Sequence, residues 1–115
     1  MIEPEPVSVN LENLRGITNG NVDLEKELFD VYVESADVCL KGLEDNQGEG
    51  QEQEWRTQAH SWKGMSLNLG AEILGKLCAD AQFNHTAPPD EKAKMLEAIK
   101  AEYENVKKFL KGTYA

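Results

Sequence analysis

Apolar residues along this chain recur at steps of three and four and nowhere alternate. Leu24, Leu28, Val31, Tyr32, Ser35, Cys39 and Leu43 form one such series, and a period near 3.6 gathers it onto one face of a long helix. Asn21 stands where a capping side chain is needed, and Asp23, Glu25 and Glu27 suit the positive end of the helix dipole. The stretch NQGEGQ at 46–51 breaks the pattern. Before it, Leu11, Leu14 and Ile17 predict a short helix closed by Gly16 and Gly20. After it, a third helix is expected over about 51–67, stopping near Gly70, and a fourth over about 71–84. Pro88 and Pro89 fit the first turn of a fifth, which carries Met95, Leu96, Ile99, Tyr103, Val106 and Leu110 on one side. Helices of this length joined by short loops pack as antiparallel neighbours. The predicted fold is all-α: an antiparallel four-helix bundle over 8–115 with a short additional N-terminal helix. Residues 1–7, where prolines alternate with glutamates, read as a disordered lead-in or linker.

The 115 residues suffice for one domain with one modest core. With 21 acidic against 12 basic side chains the net charge is -9, which argues against nucleic-acid binding, since that needs a basic face. The acids crowd the first half, whereas the third and fourth helices carry Arg56, Lys63 and Lys76, so a small anion is repelled less there. No apolar run approaches the length that crosses a bilayer, and the N-terminus lacks the pattern of a secretion signal. A cytoplasmic monomer without membrane contact is expected. Cys39 and Cys78 sit in apolar patterns and read as buried thiols.

The third helix is the informative one. At about 100° per residue, Trp55, Ala59, Trp62, Met65, Ser66 and Leu69 cluster on one side and form the expected core face. His60 lies nearly opposite, with Gln53, Arg56, Thr57, Lys63, Gly64 and Leu67 around it. An exposed imidazole with an exposed lysine one turn on can meet an anion. Gly64 weakens the helix by roughly 1 kcal/mol relative to alanine, a cost that makes sense if a side chain there would block approach to the ring. If the third and fourth helices fold back around Gly70, residue 60 faces 80–82. Gln82 can then reach the imidazole, and its oxygen, accepting from Nδ1–H, would fix the tautomer and free Nε2.

The run AHSWKGMSLNLGA at 59–71, followed by LCADAQ at 77–82, resembles the motif of histidine phosphotransfer (HPt) domains of two-component phosphorelays. The resemblance covers about 8–115 in helix order. It implies that His60 is the phosphoacceptor, that Lys63 assists at the phosphate, that Gly64 keeps the ring accessible and that Gln82 orients it. Arg56, Thr57 and Leu67 are the expected partner contacts. Trp62 departs from the aliphatic residue usual at that position, on the core face. The implied partners are response-regulator receiver domains and a sensor or hybrid histidine kinase. The chain would hold no cofactor of its own, with Mg²⁺ supplied by the receiver, and it would be a phosphocarrier, not an enzyme with an ATP site.

Competing patterns fail on chemistry. GAEILGKL at 70–77 resembles a phosphate-binding loop, but Leu77 replaces the hydroxyl that binds Mg²⁺ and no strand precedes it. No Glu-x-x-His pair suggests a metal. His85 falls in a loop and reads as inert. Two other readings stay open from the residues alone: an adaptor that blocks a receiver without taking phosphate, and a plain helical dimerisation module.

Overall fold

The computed structural model describes residues 8–114, apart from the side chains of residues 13 and 114. The expected lead-in at 1–7 lies outside the described residues. Five helices follow in order: α1 (Glu12–Thr18), α2 (Val22–Asp45), α3 (Glu52–Leu69), α4 (Glu72–Phe83) and α5 (Pro89–Tyr114). The bundle is all-α, and its helix order is the expected one.

Local chemistry sets the ends. Asn21 caps α2 by accepting from the Leu24 amide at 3.1 Å, as a capping asparagine should. Pro89 opens α5, where its missing N–H costs nothing. Gly70 closes α3 in the left-handed region (φ 96°), with its own N–H bonded to Leu67 O at 3.2 Å and the Ala71 N–H bonded to Ser66 O at 2.8 Å. This paired arrangement satisfies the last carbonyls of α3 and reverses the chain into α4. A side chain at 70 would also run into the Asn10 carbonyl. The N-terminal segment is strapped across this turn, with the Asn10 amide bonded to Gly70 O at 2.8 Å.

Around the bundle the helices follow one another as α2, α3, α4, α5, and α5 closes back onto α2. No Cα of α2 comes within 8 Å of one in α4, nor of α3 in α5, among the described residues, so these pairs stand diagonally. Trp55, Ala59, Trp62, Leu74, Cys78, Ile99, Tyr103 and Val106 fill the centre. Burying such side chains contributes about 1.5–3 kcal/mol each, and this core dominates the fold's stability.

The apolar stripe of α2 is the expected one at Tyr32, Cys39 and Leu43, but its N-terminal half is shifted by one residue. The buried series is Glu25, Phe29, Tyr32, Ala36, Cys39 and Leu43. Leu24, Leu28 and Val31, expected inside, are exposed, Val31 by 60%. The reason is α1. It crosses the start of α2 and pins Glu25, 2% exposed, through the Thr18 hydroxyl at 2.7 Å, with Arg15 at 4.0 Å. That contact rotates the N-terminal half of α2 so that the Phe29 side goes inward. Ile17 of α1 is likewise 77% exposed where its spacing predicted burial. On α5, Lys92 is buried with its ammonium 5.4 Å from the Trp55 ring centre, a stem-and-cation packing that polarity alone hides.

Candidate functional site

α3 is held from both sides, and this fixes which of its residues face outward. Toward α2, Gln58 lies over Gly42, and the Ser66 hydroxyl meets the Tyr32 hydroxyl at 2.9 Å. Toward α4, Trp55 Nε1 donates to Ala81 O at 2.9 Å, and Leu67 lies over Gly75. The inner face is Trp55, Ala59, Trp62, Ser66 and Leu69, all buried, with Met65 half-buried against them. What remains is an outer ridge.

His60 stands on that ridge, exposed. Among the described residues, no hydrogen bond or ion pair ends on its ring. Arg56 and Thr57 are exposed one turn before it, the Thr57 hydroxyl donating to Gln53 O at 2.9 Å. Gly64 follows one turn on. A Cβ placed there would meet nothing within 4 Å, so the space above the ridge beside the ring is open. Lys63 is half-buried where exposure was expected. It falls between Ala59 and Leu67 in the i, i+4 row that turns toward α4. Its four-carbon stem can lie along the protein while the ammonium reaches outward. Leu67 is 47% exposed, since part of its side chain covers Gly75.

Gln82 is half-buried near the end of α4. The antiparallel register set by the contacts of Trp55 with Ala81 and Leu67 with Gly75 puts it within about one turn of the level of His60. No hydrogen bond joins its amide to the His60 ring among the described residues. Its backbone carbonyl instead lies 3.1 Å from His85 Nδ1. The structure therefore gathers His60, Lys63, Gly64, Arg56, Thr57 and Leu67 on one ridge and brings Gln82 alongside without a bond to the ring.

Two exposed apolar groups on the neighbouring helices were not anticipated. Val38 of α2 is exposed and lies between the two contacts that join α2 to α3, hence near the level of His60. Phe83, at the end of α4, is 84% exposed. A cue existed for each, an apolar side chain out of phase with its helix's buried series, but it is readable only once that phase is known. Among the described residues there is no group of three or more metal-ligating side chains and no helix long and apolar enough to cross a membrane.

The bundle thus carries an exposed histidine on the outer ridge of one helix, followed one turn on by lysine and glycine. The family model described as Hpt domain matches residues 27–109. The chain belongs to the Hpt domain family. Comparison with curated proteins and with solved structures returned no match. Hpt domains work in histidine phosphotransfer within two-component phosphorelays, so receiver domains and histidine kinases are the partner classes. The matched span takes in all of α3 and α4 and most of α2 and α5, and with them the whole ridge around His60.

Proposed function

We propose that this Hpt domain carries a phosphoryl group on His60, accepting it from a receiver-domain aspartate or a kinase and passing it to another receiver. The observation that carries this reading is the exposed, unbonded His60 ring with open space above Gly64. A neutral imidazole nitrogen is a competent nucleophile near pH 7. Nε2 attacks the phosphorus of an aspartyl phosphate, the N–P bond forms, and the acyl P–O bond breaks to release the carboxylate. The proton on Nδ1 stays in place, so the phosphoimidazole is cationic and itself a good donor for the next aspartate. Such a transfer needs in-line positioning and charge neutralisation above all. Lys63 offers a cation from this side, and the receiver supplies Mg²⁺. Gln82 would take the Nδ1 proton in a hydrogen bond once the ring is engaged.

The surroundings suit docking by a receiver. Arg56 and Thr57 give polar contacts and Leu67 an exposed apolar one on the same helix, while Val38 and Phe83 are exposed apolar side chains on the two neighbouring helices. Exposed apolar side chains close together mark interaction surfaces more often than they occur by chance. The carrier works as a monomer in the cytoplasm and makes no phosphohistidine from ATP alone.

The test mixes the protein with a phosphorylated receiver and Mg²⁺ and follows acid-labile phosphate on the chain. His60→Gln should take no label and keep its helical signal. Label persisting on that variant refutes the assignment. A wild type that binds the receiver but takes no phosphate would favour an adaptor role instead.

A further inference from the structure

The turn of α3 just after His60 runs from Trp62 to Ser66. Gly64 sits in its middle, and glycine leaves a helix backbone freer than any other residue does. On the buried side of the same turn stand Trp62 and Ser66, two residues before and two after that glycine. Both bond to one atom of the neighbouring helix. Trp62 Nε1 donates to the Tyr32 hydroxyl at 3.2 Å, and the Tyr32 hydroxyl and Ser66 Oγ share a hydrogen bond at 2.9 Å. All three residues are buried. The Tyr32 ring is itself fixed, edge-on to Tyr103 at 6.5 Å. The Tyr103 ring also packs edge-on to Trp62 at 5.2 Å, and its hydroxyl donates to Asp37 at 2.8 Å.

Packing does not require this polar bridge. A phenylalanine at 32 would fill the same apolar space, and three apolar groups in place of three bonded polar ones are often energetically neutral. What the hydroxyl adds is direction: it ties both ends of the glycine-containing turn to α2 through one point. We propose that Tyr32 is a positioning residue for phosphotransfer, its hydroxyl holding the 62–66 turn so that the His60 imidazole keeps one orientation toward the incoming phosphorus. This inference rests on His60 being the phosphoacceptor.

Tyr32→Phe tests it with two readouts. Backbone amide exchange at 63–67 should speed up by about tenfold more than in α4 and α5, because the loosened unit is local and not the whole fold. The rate of phosphate transfer from a saturating phosphorylated receiver should fall several-fold, while the receiver concentration giving half the maximal rate stays unchanged. Ser66→Ala, which leaves the Trp62 bond in place, should show the same two changes at smaller size, and it decides the matter if Tyr32→Phe folds poorly. Adding Gly64→Ala to Tyr32→Phe should recover much of the exchange protection, since alanine stiffens the same turn. Exchange that rises equally in every helix, or an unchanged saturating rate, overturns the role. A wild type that takes no phosphate removes the acceptor and this role with it. The exchange pattern, which needs no phosphate, would still separate that failure from the absence of a clamp.

Discussion

Gly64 within α3 and Gly70 at its C-terminal cap, six residues apart, meet opposite demands. At Gly64 the backbone is ordinary helix and a Cβ would touch nothing. Gly64→Ala should therefore raise stability by about 0.5–1 kcal/mol and still allow labelling of His60, whereas Gly64→Leu, standing on the open ridge, should slow transfer without unfolding. Denaturant midpoints and transfer rates on the two variants check this, and a destabilised alanine variant would show that the space is not free. At Gly70 the φ of 96° and the Asn10 carbonyl leave no room for a side chain. Gly70→Ala should cost at least about 2 kcal/mol, read as a lower urea midpoint. The open position of Gly64 beside His60 was legible because it depends on the i+4 spacing alone. That Gly70 ends the helix was legible too. Its collision with Asn10 was not, because that contact joins residues sixty apart. Lys63 repeats the lesson: the wheel put it outside, but it is half-buried in the folded chain.

At the scale of the helix, α2 shows what periodicity leaves open. Leu24, Leu28, Val31 and Ser35 have the same spacing as Glu25, Phe29, Tyr32 and Ala36, one residue out of phase. The first set is the more apolar, and the expected series took it whole, adding only Tyr32 from the second. The second is the one inside, because a hydrogen-bonded Glu25 at the crossing with α1 offsets the burial of its charge, and Tyr32 finds partners on α3. Only tertiary structure could decide between them. The consequence is measurable: Phe29→Ala should cost about 3–5 kcal/mol, while Val38→Asp should stay within about 0.5 kcal/mol of wild type. The second change should nonetheless slow phosphate transfer at limiting receiver concentration, since Val38 lies near the level of His60. Equal transfer under those conditions would take Val38 out of the docking surface. Leu67 is a poorer probe than its exposure suggests, because a charge there also disturbs its packing over Gly75. The helix ends, by contrast, were legible almost throughout, since Asn21, Gly70 and Pro89 act through local backbone chemistry alone.

For the molecule as a whole, the bundle order governs what its buried titratable groups can do. Cys39 on α2 and Cys78 on α4 are both buried thiols, but α2 and α4 are diagonal, with no Cα pair within 8 Å. A disulfide needs Cα atoms closer than about 7 Å, so mild oxidation of the folded protein should leave both thiols free by mass. Burial also raises the proton affinity of these groups. Desolvation pushes Cys78 up to about 12 and Cys39 upward, and it moves Tyr32 to about 12 despite hydrogen bonds from Ser66 and Trp62 that pull the other way. Tyr103 is raised as well, by burial first and then by its bond to Asp37. In the unfolded chain the thiols release protons near pH 9 and the tyrosines near 10, while the folded chain still holds them. Above pH 9 the native state thus binds more protons than the unfolded one, and stability falls as pH rises, by up to about 1.4 kcal/mol per pH unit for each such group. The stabilisation is fully present below pH 9 and is lost as pH climbs toward 12. Urea midpoints should be flat from pH 7 to 8.5, decline above 9 and decline more steeply above 10, when the tyrosines join the thiols. Cys78→Ala should make the first part of that decline shallower, and Tyr32→Phe the second. An unchanged slope in both variants would mean that other groups govern the alkaline limit.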